Sequence, residues 1–124
     1  MRFDHFGVAV GNIESAIGQY SKLGVLRKLG DKIYDRNQGV TLQMCDWNGM
    51  RIELISGEGV AGLVKDRHYW YHPCFRVKNF DETVKTLDSC GWILLKKSAP
   101  AVLFGGKRVA FYHTLNGIVE ILEE

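Results

Sequence analysis

Cysteine is sparse and unpatterned in this chain. Cys45, Cys74 and Cys90 form no CxxC pair, and three thiols cannot all be bridged. The expectation is reduced cysteines in a cytoplasmic setting. Long apolar runs are missing too. None approaches the roughly 20 residues of a transmembrane helix, and the opening MRFDHF lacks the hydrophobic stretch of a signal peptide. A membrane is therefore not an expected partner. Charge of one sign is not in excess: 16 Lys and Arg face 14 Asp and Glu, interspersed, for a net +2. That is too mild a bias for nucleic acid or an acidic surface. Only two prolines and no low-complexity tract leave no linker outside the mid-chain junction. What remains is 124 residues, 46% apolar, enough to bury one core as a single domain.

The positive signal is a repeat. Residues 71–91, YHPCFRVKNFDETVKTLDSCG, overlie residues 4–24, DHFGVAVGNIESAIGQYSKLG, at a shift of sixty-seven. His72 falls on His5, Val77 on Val10, Asn79 on Asn12 and Gly91 on Gly24. The same shift carries Ile52, Glu53 and Leu54 onto Val119, Glu120 and Ile121. Repeats fix architecture, and two copies of this size are half-units of one domain. The modules are 1–56 and 71–124, joined by 57–70.

Each copy reads in the same order. Residues 3–10 form a strand, and Asn12 caps a helix carrying Ile13, Ala16, Ile17 and Tyr20 at helical spacing up to Gly24. A weaker strand covers 25–34, residues 35–39 are turn chemistry, and strands 40–46 and 50–55 flank an Asn-Gly hairpin turn. A short helix is expected within 60–66. In the second copy, a strand at 71–77 leads to a helix over 80–90 capped by Asn79. Strands over 92–97, 107–113 and 118–122 follow, with a loop at 100–106. The fold class is α+β: two tandem β-α-β-β-β modules sharing one curved, cupped mixed sheet.

Both copies thus hold a His near the start of one apolar run and a Glu inside another. An ionised carboxylate within IEL or VEI is costly to bury unless paired or metal-bound. One such Glu reads most simply as the solvent face of a strand. Two, at the spacing shared by two histidines, favour a divalent metal of borderline hardness such as Zn, Ni, Co, Mn or Fe(II), held by His5, Glu53, His72 and Glu120. Lys107 and Arg108 follow Gly105 and Gly106, a place for a phosphate, although a solvated strand end is the plainer account. His113 ends a strand and suits either a substrate contact or the surface. His68, among Arg67, Tyr69 and Trp70, reads as a surface or packing residue.

Over essentially its whole length the chain resembles the vicinal oxygen chelate superfamily. That group contains lactoylglutathione lyase (glyoxalase), extradiol dioxygenases, methylmalonyl-CoA epimerase and bleomycin-resistance proteins. The resemblance rests on DHFGVAV at 4–10, RIELISG at 51–57, YHPCFRV at 71–77 and NGIVEIL at 116–122. It implies that His5, Glu53, His72 and Glu120 hold the metal at the centre of the cupped sheet. NQGV at 37–40 and GGKRVAFYH at 105–113 are most similar to methylmalonyl-CoA epimerase.

The implied reaction is isomerisation or epimerisation of a small acyl-CoA or glutathione thioester through a metal-stabilised enolate. Glu120 is its base as well as a ligand, and Glu53 is the other catalytic carboxylate. Lys107, Arg108, His113 and Gln43 are the candidate substrate contacts. Leu42 stands where some epimerases carry a Glu, and Gln43 beside it should face the other way. A glyoxalase-type lyase would use the same four ligands. A dioxygenase would use only His5, His72 and Glu120, and a metal-free binding protein would not need the set. The group's habit implies a homodimer.

Overall fold

The computed structural model describes the backbone of all 124 residues and the side chains of all but 96–99 and 102. Two compact units make up the chain: a first, His5–Tyr71, and a second, Met1–Asp4 with His72–Glu124. The fold is α+β.

The first unit holds β1 (Arg2–Ala9) from His5 onward, which leads to α1 (Ile13–Tyr20). Gly11 and Asn12 separate them, and Asn12 Oδ1 accepts the Ser15 N–H at 2.8 Å, which satisfies one of the helix's orphan donors. The helical spacing of Ile13, Ala16, Ile17 and Tyr20 brings them onto Val8, Ile52 and Leu54. Each fully buried aliphatic side chain there contributes roughly 1.5–3 kcal/mol.

The strand expected over 25–34 is instead two short ones, β2 (Leu26–Lys28) and β3 (Ile33–Asp35), both antiparallel to β4 (Val40–Trp47). Gly30, at φ 79°, breaks it, and its carbonyl accepts the Gln43 Nε2–H at 3.0 Å. Asn48 (φ 54°) and Gly49 (φ 87°) make the expected left-handed turn into β5 (Met50–Ser56). β5 then runs parallel to β1, and the strand order is β2-β4-β5-β1, with β3 also on β4. A short helix, α2 (Ala61–Lys65), follows.

The second unit contains β6 (Trp70–Val77) from His72 onward, α3 (Phe80–Ser89), β7 (Ile93–Pro100), β8 (Arg108–Thr114) and β9 (Gly117–Glu123). Their order is β6-β9-β8-β7, with β6 and β9 parallel and the rest antiparallel. Asn79 stands at the N-cap of α3 but makes no capping bond; its Nδ2 donates to Glu82 Oε2 at 3.4 Å. Phe80, Val84 and Leu87 cover one sheet face with Ala110, Tyr112 and Ile121. On the opposite face, Ala101 and Phe104 close over Cys74, Val109 and Leu122. A short 3-10 turn (Val102–Phe104) lies inside the expected loop.

The repeat is visible in the pairing itself. Gly7 lies beside Glu53 and Cys74 beside Glu120, so both partners move by the same sixty-seven residues. Among the described residues, no helix is long and apolar enough to cross a membrane.

Candidate functional site

Strand alternation decides which side chains can meet. In the first unit, Phe6 and Val8 turn toward α1, which leaves His5 and Gly7 on the other face of β1. Gly7 is the register partner of Glu53, so no side chain stands between that carboxylate and His5, two residues away. His5 Nε2 lies 3.8 Å from Glu53 Oε1, with both residues buried.

The second unit repeats the arrangement. Phe75 and Val77 turn to the α3 side, which leaves His72 and Cys74 on the opposite face of β6. His72 Nε2 lies 2.8 Å from Glu120 Oε2, and the Phe111 ring meets the imidazole edge-on at 5.3 Å. His72 is 1% and Glu120 3% exposed, too little water to solvate a free carboxylate.

Burying an ionised carboxylate costs several kcal/mol unless a cation or strong donors meet it. Each unit supplies one imidazole and one carboxylate. This set of nitrogen and oxygen donors fits a divalent ion of borderline hardness.

The other expected contacts behave differently. Gln43 pairs with Leu54 and so faces the α1 side, opposite Glu53. Its amide is engaged by the carbonyls of Gly30 and Met44, both at 3.0 Å. Leu42 and Met44, on Glu53's own face of β4, are buried and apolar. Arg108 lies on the α3 side. Its guanidinium bonds Asp81 at 2.7 Å and Glu123 at 2.9 Å, and stacks on Phe80 at 4.6 Å. Glu123 first, then Asp81, stabilises its charged form and pushes its pKa up, and Arg108 in turn holds Glu123 below the usual carboxylate range. Lys107 and His113 are exposed. None of the three cysteines is in a disulfide, and burial pushes the Cys45 thiol up to about 11.

Arg76 was not among the expected contacts. It follows Cys74 on the His72 face of β6; its Nε donates to the buried Asp4 carboxylate at 2.6 Å, and its guanidinium lies 5.6 Å from the Phe104 ring centre. The alternation His72, Cys74, Arg76 is the sequence signal that could have found it.

Each unit is thus a mixed parallel and antiparallel module that buries one His–Glu pair. The family model for the Glyoxalase/Bleomycin resistance protein/Dioxygenase superfamily matches residues 4–111. The chain belongs to that superfamily. The match includes His5, Glu53 and His72 and ends before Glu120.

Among solved structures, a hypothetical protein, BH1468, from Bacillus halodurans C-125 is similar at TM-score 0.85 and 23% identity, covering 99% of this chain and 94% of its own. Methylmalonyl-CoA epimerase from Mycobacterium tuberculosis follows at 0.81 and 20%, covering 98% and 87%. A methylmalonyl-CoA epimerase from Streptomyces coelicolor, in complex with 2-nitronate-propionyl-CoA, gives 0.77 and 18%, covering 100% and 97%. At these identities the likeness is one of fold. No curated protein matches the chain.

Proposed function

We propose that the chain is a metal-dependent isomerase or epimerase of a small acyl thioester. The observation that carries the reading is one buried His–Glu pair per unit, at equivalent places in the same pairing register. The modules 1–56 and 71–124, joined by 57–70, are proposed to act as one domain in which the two pairs close on a single ion. Held by His5, Glu53, His72 and Glu120, a divalent ion supplies a Lewis acid that draws electron density from the thioester carbonyl oxygen.

The chain's own residues move the proton. Glu120 takes it from the carbon beside the carbonyl, and the C–H electron pair becomes the enolate. Glu53, the other buried carboxylate, enters the cycle protonated and gives that proton to the carbon from the opposite face, which inverts it and leaves Glu53 ionised and Glu120 protonated; proton exchange with solvent then resets the pair. Burial of both carboxylates keeps bulk water from competing for the enolate. Gln43 and Arg108, engaged elsewhere, are left out of the substrate contacts; Lys107 and His113 remain in that set.

The proposal extends to a homodimer in a reducing, cytoplasmic compartment, the latter supported by three cysteines outside any disulfide. A second reading, a glyoxalase-type lyase acting on a glutathione adduct, draws support from Leu42 and Met44. These residues put no further carboxylate beside Glu53 on β4, and a proton shift between neighbouring carbons needs only one base.

The test is hydrogen exchange at the substrate α-carbon in deuterated water, with methylmalonyl-CoA and with a glutathione hemithioacetal. Exchange in the acyl-CoA that is lost in Glu120→Gln is the expected result. Exchange surviving that change would remove Glu120 as base, and exchange confined to the hemithioacetal would favour the lyase.

A further inference from the structure

We propose that Arg76 is a positioned receptor for an anionic group of the substrate, a free carboxylate carried by the acyl chain. This rests on the acyl-thioester reading above. Four features of the second unit carry it.

The first is the face. Register places Cys74 beside Glu120 and Arg76 beside Leu122, so Arg76 lies two residues, roughly 7 Å, along the strand from the level of Glu120. Its side chain emerges on the same side as His72 and Glu120. A small molecule held at Glu120 is within reach of a side chain as long as arginine.

The second is the way the guanidinium is held. Asp4 takes the Nε edge, and the guanidinium carbon lies over the Phe104 ring, 5.6 Å from its centre. Asp4 is 5% exposed and Arg76 keeps 17% of its side chain open. The bond to Asp4 runs from Nε and not from the terminal nitrogens, and a terminal pair of guanidinium nitrogens matches the two oxygens of a carboxylate. Two fixed partners also remove much of the rotamer freedom that a receptor would otherwise lose on binding.

The third is contrast with Arg108 of the same unit. Arg108 meets two carboxylates, Asp81 and Glu123, on the α3 side, and its terminal nitrogens are used by them. Arg108 is a structural clamp. Arg76 has one carboxylate partner and lies on the reactive face.

The fourth is asymmetry. The repeat duplicates His5 as His72 and Glu53 as Glu120, yet the counterpart of Arg76 is Ala9. A cation present once, beside ligands present twice, suits a substrate whose two ends differ. A malonyl-type acyl group carries such a carboxylate, whereas a neutral acyl chain does not.

The experiment uses the full chain and two unreactive CoA thioethers, 2-carboxypropyl-CoA and isobutyl-CoA, whose binding is measured by calorimetry. The wild type is expected to prefer the carboxylated probe by roughly ten- to hundredfold, the range for a charge-assisted pair. Arg76→Lys keeps the charge without the fork and should lose most of that preference. Because Arg76→Gln alone strands the buried Asp4, the Asp4→Asn/Arg76→Gln double variant is used, with its fold checked by circular dichroism; it should bind both probes alike.

A folded double variant that keeps the wild-type preference overturns the proposal, as does a wild type with no preference. Binding and turnover separate the two readings. If the wild type exchanges no α-proton but its carboxylate preference disappears in the double variant, the epimerase reading fails and the Arg76 assignment stands.

Discussion

Arg108 is engaged on every side, by Asp81, by Glu123 and by the ring of Phe80. Arg108 bonds the charged form of Glu123, so the folded pKa of that carboxyl lies below its unfolded value. A depressed carboxyl contributes stability above the unfolded value, about 4.3, and loses it as pH falls through the lower folded value. The unfolding free energy should therefore fall as acid is added below about pH 5. Glu123→Gln should flatten that slope; an unchanged slope would refute the assignment. The thiols give a second check at this scale. Cys45 and Cys74 are buried and Cys90 is exposed, and burial raises Cys45 to about 11. An alkylating reagent at neutral pH should modify Cys90 alone in the folded chain and all three thiols after unfolding, as read by mass spectrometry. Prompt labelling of Cys45 in the native protein would contradict its burial.

Among the elements, the joint after β5 is the tightest fit. A Cβ on Gly59 would run into the Gln38 carbonyl oxygen, a backbone atom that cannot swing aside. Gly59→Ala should cost about 1–3 kcal/mol, the range for overpacking, measured as a lower urea midpoint; a variant as stable as the wild type would show that the loop shifts freely. Elements whose signal is local were legible in the sequence. Asn48 and Gly49 turn as their pair predicts, and α1 turns the residues that helical spacing selects onto the sheet. Elements set by distant partners were not. The break at Gly30 comes with a bond from the Gln43 amide thirteen residues on, whereas the idle N-cap at Asn79 is a local departure, its Nδ2 donating to Glu82 three residues away. The same division holds at the site. The repeat marks His5, Glu53, His72 and Glu120, the proposed ligands, and each His lies close to the Glu of its own unit. The commitments of Gln43 and Arg108 depend on contacts far along the chain, as does the pairing of Arg76 with Asp4.

For the whole molecule, the proposed shared ion makes a stoichiometric statement. Metal analysis of tag-free protein should find about one divalent ion per chain, and His5→Ala and His72→Ala should each abolish it. Retention of an ion in either variant would mean that one pair suffices. A free metal concentration a hundredfold above Kd should stabilise the fold by about 2.7 kcal/mol, seen as a rise in Tm that chelator reverses; no shift on titration would remove the ion from the proposal. The two copies also differ in one instructive way. Between Gly24 and Val40 the first makes two short strands, whereas the matching stretch of the second, between Gly91 and Lys107, makes one long strand and a 3-10 turn. The two inserts are equal in length, and each returns the chain to the same register. One length thus carries two different chain paths, each closed by a glycine, and neither displaces the strand register that holds the His–Glu pair of its own unit.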